Sequence, residues 1–213
     1  SGGATSINGL SDAKTFGTSS IMLGDATTGT IDAANYNTGL GIDVFEALTS
    51  GDGSTAIGFS ALKANTTGGS NVAVGVNALQ ANTTASNNTG IGRDALTANT
   101  TGTANVAVGY HALDANTTAS NNTAVGYNAL TANTTGNSST AVGYAALSTQ
   151  TTAGTNTAVG TQSMEANTSG DDNTAVGYRS LDANTTGALN TAIGDNALGA
   201  NTTANNNTAV GAS

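Results

Sequence analysis

A period of 17 residues runs through this chain without an insertion or a deletion. The word Thr-Ala-Val-Gly, or a close variant, recurs from residue 21 onward, and its glycine stands at Gly24, Gly41, Gly58, Gly75, Gly92, Gly109, Gly126, Gly143, Gly160, Gly177, Gly194 and Gly211. A disordered chain has no physical reason to hold such a register. Stacked coils do, because one extra residue would move every later ladder off its row. The period therefore predicts a repeat fold in which each coil lies on the one before it.

Stacking also explains a composition that would otherwise suggest disorder. Leu, Ile, Val and Phe together number 34 of 213 residues, which is low for an ordinary globular core. If the recurring glycine is position 4 of the repeat, position 3 is always Val, Ile or Leu. Position 8 is Leu, Met or Phe in every coil but the first, which has Thr28. So thin a core is buried only when each coil covers its neighbour.

The local pattern predicts the shape of one coil. Seventeen residues are too few for two helices, and β-branched Thr and Val between regular Gly and Asn favour short strands and tight turns. We expect a strand at positions 1–3, a bend at the glycine and a second short strand near positions 5–10. A single helical turn is the alternative for the middle of the coil.

The predicted fold class is therefore all-β, a parallel β-solenoid or β-roll of about eleven 17-residue coils. The solenoid is expected over residues 21–213, after an N-terminal lead-in or assembly segment over 1–20. Residues 6–10 and 21–23 are expected to form short strands or lead-in elements. The first repeat, which carries Thr28, is expected to act as a cap. The other end stops in mid-repeat, so we expect either that the chain has been cut there or that this open coil pairs with another chain.

Composition and charge exclude several functions. The chain has no Cys, which excludes disulfides, thiolate metal sites and a Cys nucleophile. Its one histidine, His111, falls at the variable position 6, where we expect a solvent-facing side chain rather than a catalytic one. Four basic against thirteen acidic residues give a net charge of −9, which does not suit nucleic acid or anionic lipid. We predict no enzyme activity, no catalytic residues, no cofactor, no metal, no nucleic-acid partner and no membrane insertion.

The word Asn-Thr-Ala-Val-Gly-Tyr-Asn-Ala-Leu-Thr-Ala-Asn at residues 122–133 resembles the head repeats of trimeric autotransporter adhesins. It is also similar to repeats of phage and cyanophage tail-fibre proteins. The resemblance covers residues 21–213 and implies a left-handed β-roll, commonly trimeric, that serves as a stalk or adhesive head on a cell or virion surface. The coil of this chain is longer than that of the adhesin heads, and its extra residues fall at the Asn-Thr-Thr-Gly corner.

An Asn-Thr-Thr motif, or a variant of it, marks that corner at position 11, and Gln150 interrupts the row. Three interpretations remain open. Asn amides can stack along the rod as a hydrogen-bonded ladder, each Asn-x-Thr/Ser can accept an N-linked glycan, or Asn and Thr can form flat rows that bind ice. The candidate glycosylation residues in this row are Asn65, Asn82, Asn99, Asn116, Asn133, Asn167, Asn184 and Asn201. Further acceptors stand at Asn87, Asn121, Asn137 and Asn206.

Aromatic residues recur at position 5. This position also holds Val, Arg, Thr and Asp in other coils, so it is expected to be exposed. A candidate contact strip, which could hold another subunit or a sugar, is formed by Tyr110, Tyr127, Tyr144 and Tyr178.

Together these features predict an extracellular structural protein, on a cell or virion surface, that forms a stiff rod and self-assembles end to end or laterally. The partners expected are further copies of the chain in a filament or trimer, with covalent glycans or a cell-surface receptor as additions. The alternatives are an adhesin or receptor-binding tail-fibre module and an ice-binding solenoid.

Overall fold

The protein is a β-solenoid built on one long sheet. The structure, a computed structural model, describes residues 13–16, 20–23 and 33–212. Within these ranges there is no helix, and one sheet holds the strands in chain order. The strands β1 to β13 are Ala13–Phe16, Ser20–Leu23, Thr38–Leu40, Thr55–Ile57, Val72–Val74, Thr89–Ile91, Val106–Val108, Thr123–Val125, Thr140–Val142, Thr157–Val159, Thr174–Val176, Thr191–Ile193 and Thr208–Val210.

Register follows the sequence period. Strand β1 pairs with β2 in antiparallel orientation, and each later strand pairs in parallel with the strand 17 residues away, as Thr123 does with Thr140. The predicted parallel β-solenoid of about eleven 17-residue coils is confirmed. Its left-handed sense stays a prediction. The strand expected at 6–10 and the first-coil residue Thr28 lie outside the described residues.

Each three-residue strand shows the alternation expected of a sheet with one buried face. In β8 the middle residue, Ala124, is fully buried, whereas Thr123 and Val125 on either side of it are partly exposed. The small Ala at position 2 lets the opposite side of the coil approach the sheet closely.

The second strand predicted at positions 5–10 is wrong, and so is the alternative helical turn. Three tight turns follow one another instead, closed by hydrogen bonds from Ala78 N to Gly75 O, Gln80 N to Asn77 O and Asn82 N to Leu79 O at 3.4, 3.2 and 3.1 Å. Asn77 and Leu79 have positive φ angles of 57° and 52°. The reason lies in the pair Ala78-Leu79, which is buried as a unit. A strand would turn one of two successive side chains outward.

Hydrogen bonds between coils continue through these turns. Asn77 N donates to Phe59 O of the preceding coil at 2.9 Å. Leu79 N and Ala81 N donate to Ala95 O and Thr97 O of the following coil, each at 3.0 Å. The ladder that joins one coil to the next is therefore much wider than the three-residue strands.

The glycine at position 4 is required by its backbone. Gly109 has a φ of 141°, and a Cβ atom added there would lie 2.4 Å from the carbonyl oxygen of Gly126 in the next coil. An L-residue is strained at this angle and has no space for its side chain. The bend after each strand is thus fixed by a row of glycines.

The core is a narrow column inside the coils. Position 8 contributes its large side chains, which are fully buried from Phe45 to Leu181. Alanines at positions 2 and 7 fill the remaining space, as Ala124 and Ala129 do. Because a large apolar side chain recurs at position 8 in successive coils, the column needs few large residues per coil.

Candidate functional surfaces

The asparagines at position 11 form a buried ladder along the rod. Asn116 Nδ2 donates to Asn99 Oδ1 in the preceding coil at 2.8 Å, and the same nitrogen donates to Ala119 O at 3.1 Å. Equivalent bonds join the neighbouring coils. Apart from Asn201, which is partly exposed, the side chains of this row are fully buried. The ladder interpretation of the Asn-Thr-Thr motif is therefore confirmed.

A second buried amide row occupies position 17, which the sequence analysis did not single out. Asn105 Oδ1 accepts a 2.9 Å bond from the backbone N of Asn122, and Asn105 Nδ2 donates to Ala119 O at 2.8 Å. Ala119 O thus accepts hydrogen bonds from an Asn of each row. The signal was present in the sequence, because an Asn precedes most Thr-Ala-Val-Gly words.

Gln150, which interrupts the first row, is matched by a change in the second. Its longer side chain reaches Ser139 Oγ at 3.1 Å, and its oxygen accepts a 3.0 Å bond from Asn156 Nδ2. Ser139 stands at position 17, where most coils have the larger Asn. The smaller residue makes room for the larger one, and the interior stays filled with hydrogen-bonded groups.

This burial bears on two earlier interpretations. A glycan attached to Asn116 Nδ2 would have to lie inside the coil and would remove a donated hydrogen bond, so the folded coil has no space for it. The flat Asn and Thr rows considered for ice binding do not form, because only the threonines face outward. The exposed acceptors are Asn87, Asn121, Asn137 and Asn206.

A largely apolar surface, called here the apolar strip and defined as the side chains at positions 3 and 5, runs along the outside of the rod. The aliphatic row at position 3 includes Ile91 and Val176, which are 39% and 37% exposed. The row at position 5 carries the aromatic side chains, of which Tyr144 is 53% exposed. The glycine row separates the two and adds no side chain. Single exposed apolar residues are ordinary, whereas here they recur from coil to coil and are interrupted in the position-5 row by Arg93, Thr161 and Asp195.

Tyrosines stack within this strip. The ring centroids of Tyr110 and Tyr127 lie 5.2 Å apart, and those of Tyr127 and Tyr144 lie 5.5 Å apart, with the planes nearly parallel. Tyr178 stands in the same row, separated from Tyr144 by Thr161. Tyr127 thus contacts both Tyr110 and Tyr144, and all four residues of the predicted contact strip are exposed.

His111 lies in a small cluster of charged and polar side chains beside the tyrosines. Its Nδ1 is 2.7 Å from Asp114 Oδ2, and its Nε2 is 3.5 Å from Asp94 Oδ2. Asp94 also pairs with Arg93 at 3.0 Å. The His111 side chain is 31% exposed, so it sits at the surface, although less openly than the variability of position 6 suggested.

Two further ion pairs lie on other coils. Lys63 Nζ lies 2.9 Å from Glu46 and 3.0 Å from Asp43, and these two carboxylates raise its pKa. Arg179 pairs with Asp182 at 2.7 Å, which raises the Arg179 pKa. All of these groups are at least partly exposed, so the pairs contribute little to stability.

Among the described residues, no group of three His, Asp or Glu side chains is arranged to hold a metal ion. Over the same ranges, no helix is long and apolar enough to cross a membrane. Comparison of the chain with protein-family models, with curated proteins and with solved structures finds no match.

Proposed function

We propose that this protein is a structural rod, an extracellular fibre subunit that assembles laterally through its apolar strip. The observation that carries the proposal is the strip itself, which follows the rod from coil to coil next to a nearly invariant interior. Ten coils at about 4.8 Å each give a strip about 48 Å long. A location on a cell or virion surface follows the resemblance of the repeats to adhesin heads and tail fibres.

The mechanism is mechanical. Backbone ladders run around most of the coil, and two rows of buried amides tie each coil to the next. Bending the rod would lengthen many of these bonds at once, so they resist it together. Catalysis has no part in the proposal, because the acidic side chains that cluster are engaged by Lys63, Arg93, His111 or Arg179.

The test compares the chain with a Tyr127→Thr/Tyr144→Thr variant. Thr already stands at position 5 as Thr161, so the fold accepts it. The matched control is Asn87→Ser/Asn121→Ser at position 16, where Ser70 and Ser138 stand in other coils. Sedimentation and negative-stain microscopy are run at physiological salt or above, because rods of like net charge repel each other at low ionic strength.

We expect the wild type and the Asn control to form lateral assemblies and the tyrosine variant to remain monomeric with an unchanged far-UV spectrum. A wild-type rod that stays monomeric at high concentration would refute the proposal, as would a tyrosine variant that assembles normally.

The stacked tyrosines also support the alternative of a receptor-binding or adhesin module, because exposed aromatic rings can stack on sugars. A glycan array separates the two functions. Binding that is lost in the tyrosine variant, with no self-assembly of the wild type, would favour the adhesin.

A further inference from the structure

The residues of the position-5 row are arranged so that those at equal distances on the two sides of Tyr144 can pair with each other. Moving away from Tyr144 toward the N-terminus, the row reads tyrosine, tyrosine, base. Toward the C-terminus it reads threonine, tyrosine, acid. The six residues are Tyr127, Tyr110 and Arg93 on one side, and Thr161, Tyr178 and Asp195 on the other.

We propose that two copies of this chain pair through the apolar strip in antiparallel orientation, about a two-fold axis at Tyr144. Arg93 of each copy then faces Asp195 of the other, Tyr110 faces Tyr178, and Tyr127 faces Thr161. The pairing rests on the lateral assembly proposed above and specifies its orientation and register.

Charge is the first support for this register. From Ile42 onward, Arg93 is the one basic and Asp195 the one acidic side chain in the row. The Arg93 side chain is 64% exposed and contacts Asp94 through Nε, which leaves the outer edge of its guanidinium open. Asp195 is exposed and has no hydrogen bond or ion pair with any described residue. Asp195 can therefore meet a partner directly, and Arg93 can meet a second carboxylate while it keeps its contact with Asp94.

Spacing is the second support. Arg93 and Asp195 are six coils apart, about 29 Å, and Tyr144 lies three coils from each. One two-fold axis therefore forms both charge pairs at once. A two-fold interface uses the same patch on both copies, so this self-matching order is what it requires.

Side-chain size is the third support. The small Thr161 breaks the aromatic row next to Tyr144, and the pairing places the bulky Tyr127 of the other copy against this gap. Tyr110 and Tyr178 bring two aromatic side chains together, as aromatic pairs favour. The aliphatic row at position 3 meets its own copy and fits equally well in any register.

Parallel pairing lacks these matches. In a parallel pair, the two-fold axis runs along the rods. The position-5 row of one copy then faces the position-3 row of the other. Asp195 would then lie against aliphatic side chains without an opposite charge, and Arg93 would have only its own Asp94 beside it, which is less favourable than the antiparallel charge pairs. The antiparallel pair overlaps over nine coils, from Val76 to Ala212 in the position-5 row.

The first test exchanges the charges. Arg93→Asp and Asp195→Arg are each compared with the wild type and with the double variant by sedimentation equilibrium. Position 5 already holds both residue types in this chain, so the fold accepts them. We expect each single variant to bind itself at least about tenfold more weakly. The double variant is expected to recover, and a mixture of the two single variants to associate as the wild type does.

The second test maps the register with thiols, since the chain has no Cys. Facing sheets lie about 10 Å apart, so a short bismaleimide is used instead of a direct disulfide. Tyr144→Cys is expected to cross-link to itself. Tyr110→Cys is expected to cross-link with Tyr178→Cys but not with itself, because its own copy is four coils away, about 19 Å.

The outcomes separate the two proposals. If Tyr110→Cys cross-links to itself as readily as Tyr144→Cys does, or if the double charge variant fails to recover, the antiparallel register is wrong while lateral assembly stands. If the wild type does not associate at all, both proposals fail.

Discussion

The side-chain amide of Asn116 donates a 2.8 Å hydrogen bond to the side-chain oxygen of Asn99 in the preceding coil, and both side chains are fully buried. Asn133 in turn donates to Asn116 at 3.2 Å. Each amide in the row is thus a donor in one direction and an acceptor in the other. Removing one of them affects the coils on both sides.

Replacing Asn116 by Ala is therefore expected to lower the free energy of unfolding by about 3 kcal/mol, because Asn99 Oδ1 is left buried without its donor and Asn133 Nδ2 loses an acceptor. Thr118→Ala, two residues away and exposed, is the control, with an expected change within about 0.5 kcal/mol. Urea unfolding followed by circular dichroism measures both. Equal losses for the two variants would contradict a structural role of the ladder.

The pair Ser139 and Gln150 is expected to behave as a coupled unit. Ser139→Asn crowds the space that Gln150 fills, and Gln150→Asn leaves a gap beside Ser139, so each change should cost about 1–2 kcal/mol. The double variant restores the arrangement of Asn122 and Asn133 in the neighbouring coil and should be close to wild type. A double-mutant cycle in urea tests this coupling, and simple additivity of the two losses would argue against it.

Gly109→Ala is expected to be severely destabilising, by about 3 kcal/mol or more, because the new methyl group would meet Gly126 O and the backbone angle would be strained. Gly90→Ala is the matched control. It stands at position 2, where Ala107 and Ala124 occupy the neighbouring coils, and its change is expected to stay within about 1 kcal/mol. Thermal melts of the two variants give the comparison. Similar melting temperatures would show that the bend does not need glycine.

Expression in a secretory, glycosylating cell gives a fourth prediction. Folded protein is expected to carry no glycan at Asn116 or the other buried amides of position 11. Any glycans should map to the exposed acceptors, such as Asn87 and Asn121. Peptide mass spectrometry before and after glycosidase treatment locates them. A folded, soluble rod with a glycan on Asn116 would contradict the burial of that side chain.

Much of the fold could be predicted because every coil repeats the same 17-residue pattern. A single period fixes the register of every strand from Ile21 onward and places Leu at position 8 inside. The middle of the coil could not be predicted in this way. Leu79 and its equivalents take a left-handed backbone, which local propensity disfavours, because the packing of Ala78 and Leu79 together outweighs it.

One of the two candidate functional rows could be predicted from the sequence and the other could not. Exposure of the tyrosine row was predictable because position 5 also holds charged residues such as Arg93. The burial of the Asn-Thr-Thr asparagines was not, since Asn is favoured at turns and is mostly exposed in folded proteins. What decides their burial is a long-range partner, the amide 17 residues away, and a local window of sequence does not contain it.

The row of glycines at position 4 limits how such a chain can change in length. Each glycine lies against the backbone of the next coil, so an insertion that shifted the register by less than a full repeat would put a side chain where none can be accommodated. Gain or loss of whole repeats keeps the glycine row in register, and it changes the reach of the molecule by about 4.8 Å per step. Unequal recombination between repeats in the gene would then adjust how far the rod extends while leaving its cross-section untouched.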